Sequence, residues 1–405
     1  MANQFASIST AAALLKNWYQ GPLVSQFNDD LPLYREIEKG KEKFNGLQVI
    51  RPLKVSRNQS IGAVADGGTL PASGKQGTQQ AAISAKFNYL VFGLTGPMIK
   101  ASQGDKGAFV SAMTYEMDEG LNDLKTDVNR QLFWDGSGDL ATVSAAAVAS
   151  TIITVTGRTS NEDGNKYLDI GTVIDIYNGT TLVASAVTIT AISGSTTATL
   201  TLSAAVTCSA NDIVVRSGSF GNEIQGLLYG LDGGTSTIYS IDRSVYSAYQ
   251  GNVISASGGQ LPLNAMQQAV NEARRRGGAK IDTILCDFNS ERFYNKLLVA
   301  DRRYVIDGAG KVKGDGSFTD KNMSYLEFVG QPVVPDKDCP QYFFFLDRKN
   351  WKKYVLAELE WADETGSYMI AQTSSDAFQV RLRLFANLFC EKYSAQAVLQ
   401  SYISP

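Results

Sequence analysis

Seven apolar residues, Phe109, Met113, Met117, Leu121, Leu124, Val128 and Leu132, follow one another at spacings of 4, 4, 4, 3, 4 and 4. That rhythm holds a single stripe on an α-helix. Asp105 is placed to cap its start and Asp135-Gly136 to stop it. The expected helix runs from about Gly104 to Trp134, and at about 1.5 Å per residue it spans roughly 45 Å, longer than an ordinary globular helix. Its other side carries Glu116, Asp118, Glu119, Asp123 and Asp127, so one face is expected to be buried and an acidic face exposed.

The chain around this helix does not read as one compact unit. Up to about Asn45, the helical candidate Thr10–Tyr19 and the turn-marked stretch from Gly21-Pro22 to Leu31-Pro32 carry apolar residues too scattered for a core, Trp18 and Phe27 among them. Such an arm packs on something else. Next come two β-like flanks, Val49, Ile50, Leu53 and Val55 leading in and Phe87, Tyr89, Val91 and Phe92 leading out. Between them lies Asp66–Gly77, which has turn chemistry and nothing with which to build a core. The simplest geometry is a long two-stranded finger, marginal alone and therefore expected to lie on a neighbour.

Residues 140–217 are rich in Ser, Thr, Val, Ala and Ile, with strand candidates at 152–155, 173–177, 187–189, 198–202 and 213–215 and a hairpin turn at Asn178-Gly179. They read as a small all-β insertion. After Gly226 the pattern becomes α/β. Leu263, Met266, Ala269, Val270 and Ala273 make a helix ending at Gly277-Gly278, and 281–285 make a strand. Ser290 is expected to cap a helix carrying Phe293, Leu297 and Leu298, before further strands near 326–329, 342–346 and 353–357. Near the C-terminus Val380, Leu382 and Leu384 alternate with Arg381 and Arg383, as on a strand with one buried face.

Composition removes several function classes. With 405 residues and no histidine, histidine-based zinc centres and acid–base catalysis are excluded. Cys208, Cys286, Cys339 and Cys390 form no CxxC pair and read as free thiols. No signal-peptide pattern or membrane-spanning run is present, so a soluble protein from a reducing compartment is expected. No phosphate-binding glycine loop or nucleophile elbow occurs. Glu358, Glu360, Asp363 and Glu364 are read as a solvated acidic turn rather than a glycosidase pair. The 307–317 stretch has Ala309 and Lys311 where a calcium loop needs oxygen ligands. No cofactor is expected.

Charge is unevenly distributed although the formal net charge is only −3. Residues 51–86 hold Arg51, Lys54, Arg57, Lys75 and Lys86 against Asp66 alone, whereas 98–134 hold four bases and six acids. A basic finger and an acidic helix invite contact between copies, with Glu116, Glu119 and Asp123 facing the finger's bases; two unrelated solvated surfaces are the alternative. Arg274, Arg275 and Arg276 either touch DNA or a charged partner, or sit at a helix end where cations are favoured.

Taken in order, these features resemble the major capsid proteins of tailed double-stranded DNA bacteriophages, with the HK97-like fold. The resemblance spans nearly the whole chain: the arm, the loop around Asp66–Gly77, the long helix, the β region past 140, the strings Phe220–Leu227 and Ile241-Asp242-Arg243, Gly277-Gly278 leading into 281–284, and 328–334. It implies an α+β chain with an N-terminal arm (1–48), an extended loop (49–94), a peripheral domain (95–141 and 375–405) containing a spine helix, a β-rich insertion (142–217) and an axial domain (218–374). It implies hexamers and pentamers closing into an icosahedral shell around viral DNA, made in the host bacterial cytoplasm, with no enzyme activity and no membrane. A separate scaffolding protein and a portal are implied partners, with a cement protein as a further one. Some relatives crosslink through a loop lysine; Lys75 stands at that place, but nothing selects its asparagine or carboxylate. The alternative reading is another phage structural protein, such as a β-rich surface or tail component, which explains 140–217 but not the α/β second half.

Overall fold

The computed structural model describes residues 33–34, 37–97, 106–159, 162–301, 326–362, 370–371 and 375–403. Trp18, Phe27, the Thr10–Tyr19 helix candidate, Asp105, the 307–317 stretch, Asp363 and Glu364 lie outside the described residues.

The periodic stripe forms a 28-residue helix, Lys106–Phe133. It ends where Gly136 adopts φ +83°, a conformation that glycine takes without steric cost. Leu124, Val128 and Leu132 are buried as the stripe requires. The last turns depart from a one-faced helix. Asn129, Arg130 and Gln131 are buried as well, because the helix end is enclosed by other parts of the chain on all sides.

The stripe packs into the same core cluster as Leu382, Leu384 and Ala386 of a five-stranded sheet. That sheet orders Glu38–Lys39, Trp351–Trp361, Ala377–Cys390 and Ile370–Ala371, with Lys86–Thr95 on the opposite edge of Ala377–Cys390. The expected alternation is present: Val380, Leu382 and Leu384 are at most 3 % exposed, while Arg381 points outward. Each such aliphatic side chain contributes roughly 1.5–3 kcal/mol by leaving water.

A second sheet of six strands runs Asn252–Ser255, Ala397–Gln400, Phe343–Leu346, Thr283–Cys286, Gln331–Pro335, Leu326–Phe328. The helices Leu263–Gly277 and Phe288–Asp301 pack on it with their own core of Met266, Ala269, Val270, Phe293 and Phe345. The β-rich region closes into a six-stranded barrel, with Val155, Ile174, Ile189, Leu200 and Val214 filling its interior. All four cysteines are free and buried.

Several expectations need correction. The finger is paired from Gln48–Ser56 and Gly77–Ser84, not from Lys86–Thr95, which instead matches Ala377–Ala386 residue for residue. Asn88, Leu90 and Phe92 stand opposite Leu384, Leu382 and Val380, and that distant apolar face outcompetes the local one. The 375–405 stretch is not one unit either, since Ala397–Gln400 sits inside the six-stranded sheet between Asn252–Ser255 and Phe343–Leu346. Likewise Trp351–Trp361 pairs with Ala377–Cys390, so Glu358 and Glu360 lie on a strand, ion-paired to Lys39 and Arg383, and not in a turn. The barrel begins at Asp139, with Asp139–Val143 as its first strand. In the Asn178-Gly179 hairpin, Asn178 pairs with Thr181; Gly179, at φ +58°, is the first of two loop residues, as a primed turn requires. Asp287, not Ser290, caps the helix Phe288–Asp301 by accepting the amides of Asn289 and Ser290 at 3.1 Å.

Candidate intersubunit surface

The ribbon Gln48–Ser56/Gly77–Ser84 is anchored along its paired length, with Leu53 and Val55 buried near its far end. Val49, Ala81 and Ile83 enter the main core, the Ala82 amide donates to the Tyr239 carbonyl at 3.0 Å, and Gln79 Nε2 donates to Tyr246 Oη at 2.7 Å. Beyond the paired strands every residue from 61 to 76 is exposed. Ile61 and Leu70 are 87 % and 77 % exposed. Local bonds alone shape the tip, such as Asn58 Nδ2 to the Gly74 carbonyl at 3.2 Å and the Gly68 amide to the Ala65 carbonyl at 2.9 Å.

The finger's bases divide into two groups. Arg51 is engaged within the chain, pairing with Glu42 and, at 2.8 Å, with Glu391. Lys86 donates to the Gly221 carbonyl at 2.7 Å, and burial pushes its pKa down. Lys54, Arg57 and Lys75 are exposed and form no ion pair with a described residue.

On the long helix, Glu116 lies in its first half and Glu119 and Asp123 further along. Asp123 borders a cleft of about 430 Å³ between the helix, the strand Lys86–Thr95 and the 216–223 loop. Burial raises the pKa of its carboxyl, with Asp169 adding to the effect and Arg216 opposing it. Asp127, expected on the exposed acidic face, turns inward. Burial alone would push it up, but Arg130, Arg216 and a hydrogen bond from Gln131 outweigh that and hold it at about 2.

The three arginines end the helix Leu263–Gly277, which Gly278 closes at φ +61°. Arg275 pairs with Glu272 at 2.5 Å. Arg276 donates to Asn252 Oδ1 at 2.8 Å and to the Ser247 carbonyl at 3.1 Å. Arg274 is exposed. The three arginines thus differ in engagement: Arg275 and Arg276 are held by groups of their own chain, while Arg274 is exposed.

Sequence reasoning missed a buried polar junction where the helix end meets the barrel. Arg130, with no exposed side chain, pairs with Asp127 at 3.1 Å and Glu223 at 2.5 Å. Arg158, equally buried, binds both oxygens of Glu162 at 3.0 and 2.7 Å. Its guanidinium lies 4.4 Å from the Trp134 ring centroid and 4.7 Å from that of Tyr167. Asn129 donates to Asp336 and Asp338, each at 2.9 Å. Burial raises Asp139 to about 7, opposed by Arg158 and reinforced by Asp135 and Glu162. The signal available in advance was the set of charged residues Asp127, Arg130, Arg158 and Glu162, whose spacing by itself does not separate a buried pair from a solvated one.

Among the described residues no group of three or more His, Cys, Asp or Glu is placed to hold a metal, and no helix is long and apolar enough to cross a membrane. No protein-family model and no curated protein matches the chain. Solved structures do. A chain of the cyanophage A-1(L) capsid asymmetric unit superposes with TM-score 0.60 at 12 % identity, covering 98 % of both chains. The fold is that of a capsid protein. A chain from the capsid of a native GTA particle shares this capsid fold over 100 % of both chains, with TM-score 0.50 at 10 % identity. The match runs end to end, so ribbon, long helix, barrel and both sheets all fall within the aligned span.

Proposed function

We propose that this chain is the major capsid protein of a tailed double-stranded DNA bacteriophage, a structural protein and not an enzyme, which assembles as hexamers and pentamers into an icosahedral shell. The observation that carries this reading is the joint one of a capsid fold aligned over 98 % of the chain and a ribbon whose tip, residues 61–76, is wholly exposed within its own copy. A segment with no core of its own becomes ordered by lying on something else. In a shell, that support is an adjacent subunit.

In this reading the ribbon is the extended loop, Lys106–Phe133 the spine helix, the barrel an insertion on the peripheral domain, and the six-stranded sheet with its helices the axial domain. Lys54, Arg57 and Lys75 reach acidic surface on a neighbour. Arg274 and its neighbours make non-specific contact with packaged DNA. A scaffolding protein and a portal complete assembly in the bacterial host, and the barrel stabilises neighbours or takes the place of a cement protein. The mechanism is mechanical: weak reversible contacts permit correction during assembly, and larger buried interfaces follow on maturation. Negative-stain microscopy of the purified chain tests the proposal. Capsomers, shells or polyheads are expected; a monodisperse monomer under every assembly condition refutes it.

A further inference from the structure

The cleft of about 430 Å³ beside the long helix holds more negative charge than its own chain balances. Its walls carry three carboxyls, Asp123, Asp127 and Glu223, against one base, Arg216. Counting Arg130, which pairs with Asp127 and Glu223, and Asp169, which acts on Asp123, leaves the excess at two. The carboxyls are unequally engaged. Asp127 is saturated by Arg130 at 3.1 Å, Arg216 at 3.3 Å and Gln131 Nε2 at 2.8 Å. Glu223 gives only Oε1 to Arg130; the residue is 4 % exposed, and its buried Oε2 has no partner among the described residues. Asp123 is exposed and forms no ion pair with a described residue. Burial raises the pKa of both Glu223 and Asp123, and neither Arg130 at the first nor Arg216 at the second cancels it. Both carboxyls are short of positive charge.

The rest of the wall is apolar. Leu90 and Leu124 line it together with the rings of Phe87 and Tyr89, which are 42 % and 56 % exposed. Among the described residues no three carboxyls or thiols are placed to hold a metal ion, so the charge is too spread for a single inorganic centre. An unpaired buried acceptor, an excess of two negative charges and hydrocarbon walls between them are the complement of a dication whose charges are separated by methylenes. We propose that this cleft binds a linear aliphatic diamine, one ammonium donating to Glu223 Oε2 and the other to Asp123, with the chain lying against Leu90, Leu124 and the two rings. The rings also attract an ammonium over their faces. An inorganic cation meets the charge but leaves the apolar wall wet, which sets the preference for the organic ion. Every lining residue belongs to one copy, so the inference goes beyond the shell function and does not depend on it.

Calorimetric titration of the dissociated full-length subunit with 1,4-diaminobutane at fixed ionic strength tests the proposal. Saturable binding of one diamine per subunit is expected. Asp123→Asn, at an exposed position, removes one charged acceptor and weakens binding about tenfold or more, whereas Asp66→Asn on the ribbon leaves it unchanged. Butylamine, with a single ammonium, binds at least about tenfold more weakly than the diamine by the same reasoning. No saturable binding, equal affinity in the Asp123→Asn variant, or magnesium chloride binding as tightly at the same ionic strength overturns the assignment; each of these leaves the shell function standing.

Discussion

Asp139→Asn tests the buried junction between the long helix and the barrel. Asp139 opens the first barrel strand at 7 % exposure, and its Oδ1 has no partner among the described residues. Burial raises its carboxyl from 3.8 to about 7 despite Arg158 and Arg130, with Asp135 and Glu162 pushing the same way. Between those two values the folded chain binds a proton that the unfolded chain has released. Stability therefore falls as pH rises through this window, is unaffected by the group well below 3.8, and carries the full penalty above 7. At about 1.4 kcal/mol per pH unit the penalty amounts to roughly 4 kcal/mol. Asparagine keeps the shape and removes the charge. Unfolding of dissociated subunits by urea, followed by the fluorescence of Trp134 and its fellows, should show variant and wild type within about 1 kcal/mol at pH 4 and the variant more stable by about 2–4 kcal/mol at pH 8.5. Asp336, which burial raises to about 6, adds to the slope of both proteins and cancels in the comparison. A variant advantage that is the same at both pH values, or a loss at pH 8.5, refutes the assignment.

Other outcomes follow from the same geometry. Arg130→Met leaves Glu223 buried without its cation and should cost about 3–5 kcal/mol in subunit unfolding, partly restored by Glu223→Gln in the double variant because the stranded charge is gone. Replacing Lys54, Arg57 and Lys75 together with Glu should abolish shells in electron microscopy while subunit stability moves by no more than about 0.5 kcal/mol; Arg51 is left in place because its ion pairs are internal. In Gly277→Ala the new Cβ meets the Ala395 Cα at 2.3 Å, a backbone atom that cannot swing aside, so a loss of roughly 1–3 kcal/mol is expected from urea titration.

The helix and the barrel strands were legible in the sequence because their information is local. The stripe from Phe109 to Leu132 and the turn at Asn178-Gly179 specify themselves without knowledge of any partner. Strand pairing was not legible. Phe87, Tyr89 and Val91 read as the return of a finger, yet the strand that takes them lies nearly three hundred residues downstream, and a single sequence carries no signal linking Leu90 to Leu382. Ala397–Gln400 is another case, four residues drawn into the middle of a sheet by neighbours on both sides. The candidate surface was half legible: the bases of the finger stand out by composition, but only the fold separates Arg51, held by Glu42 and Glu391, from Lys54, Arg57 and Lys75. Arg158 and Glu162 were visible as charges but not as a buried pair, since burial is decided by the packing around Trp134 and Tyr167.

Hydrogen–deuterium exchange across residues 57–76, compared between dissociated subunits and assembled particles, bears most directly on the idea that the ribbon tip is completed by another copy. In the subunit those amides should exchange at nearly the unprotected rate, and in the particle they should slow by about a hundredfold or more. Equal exchange in both states, or full protection already in a dilute subunit, contradicts it.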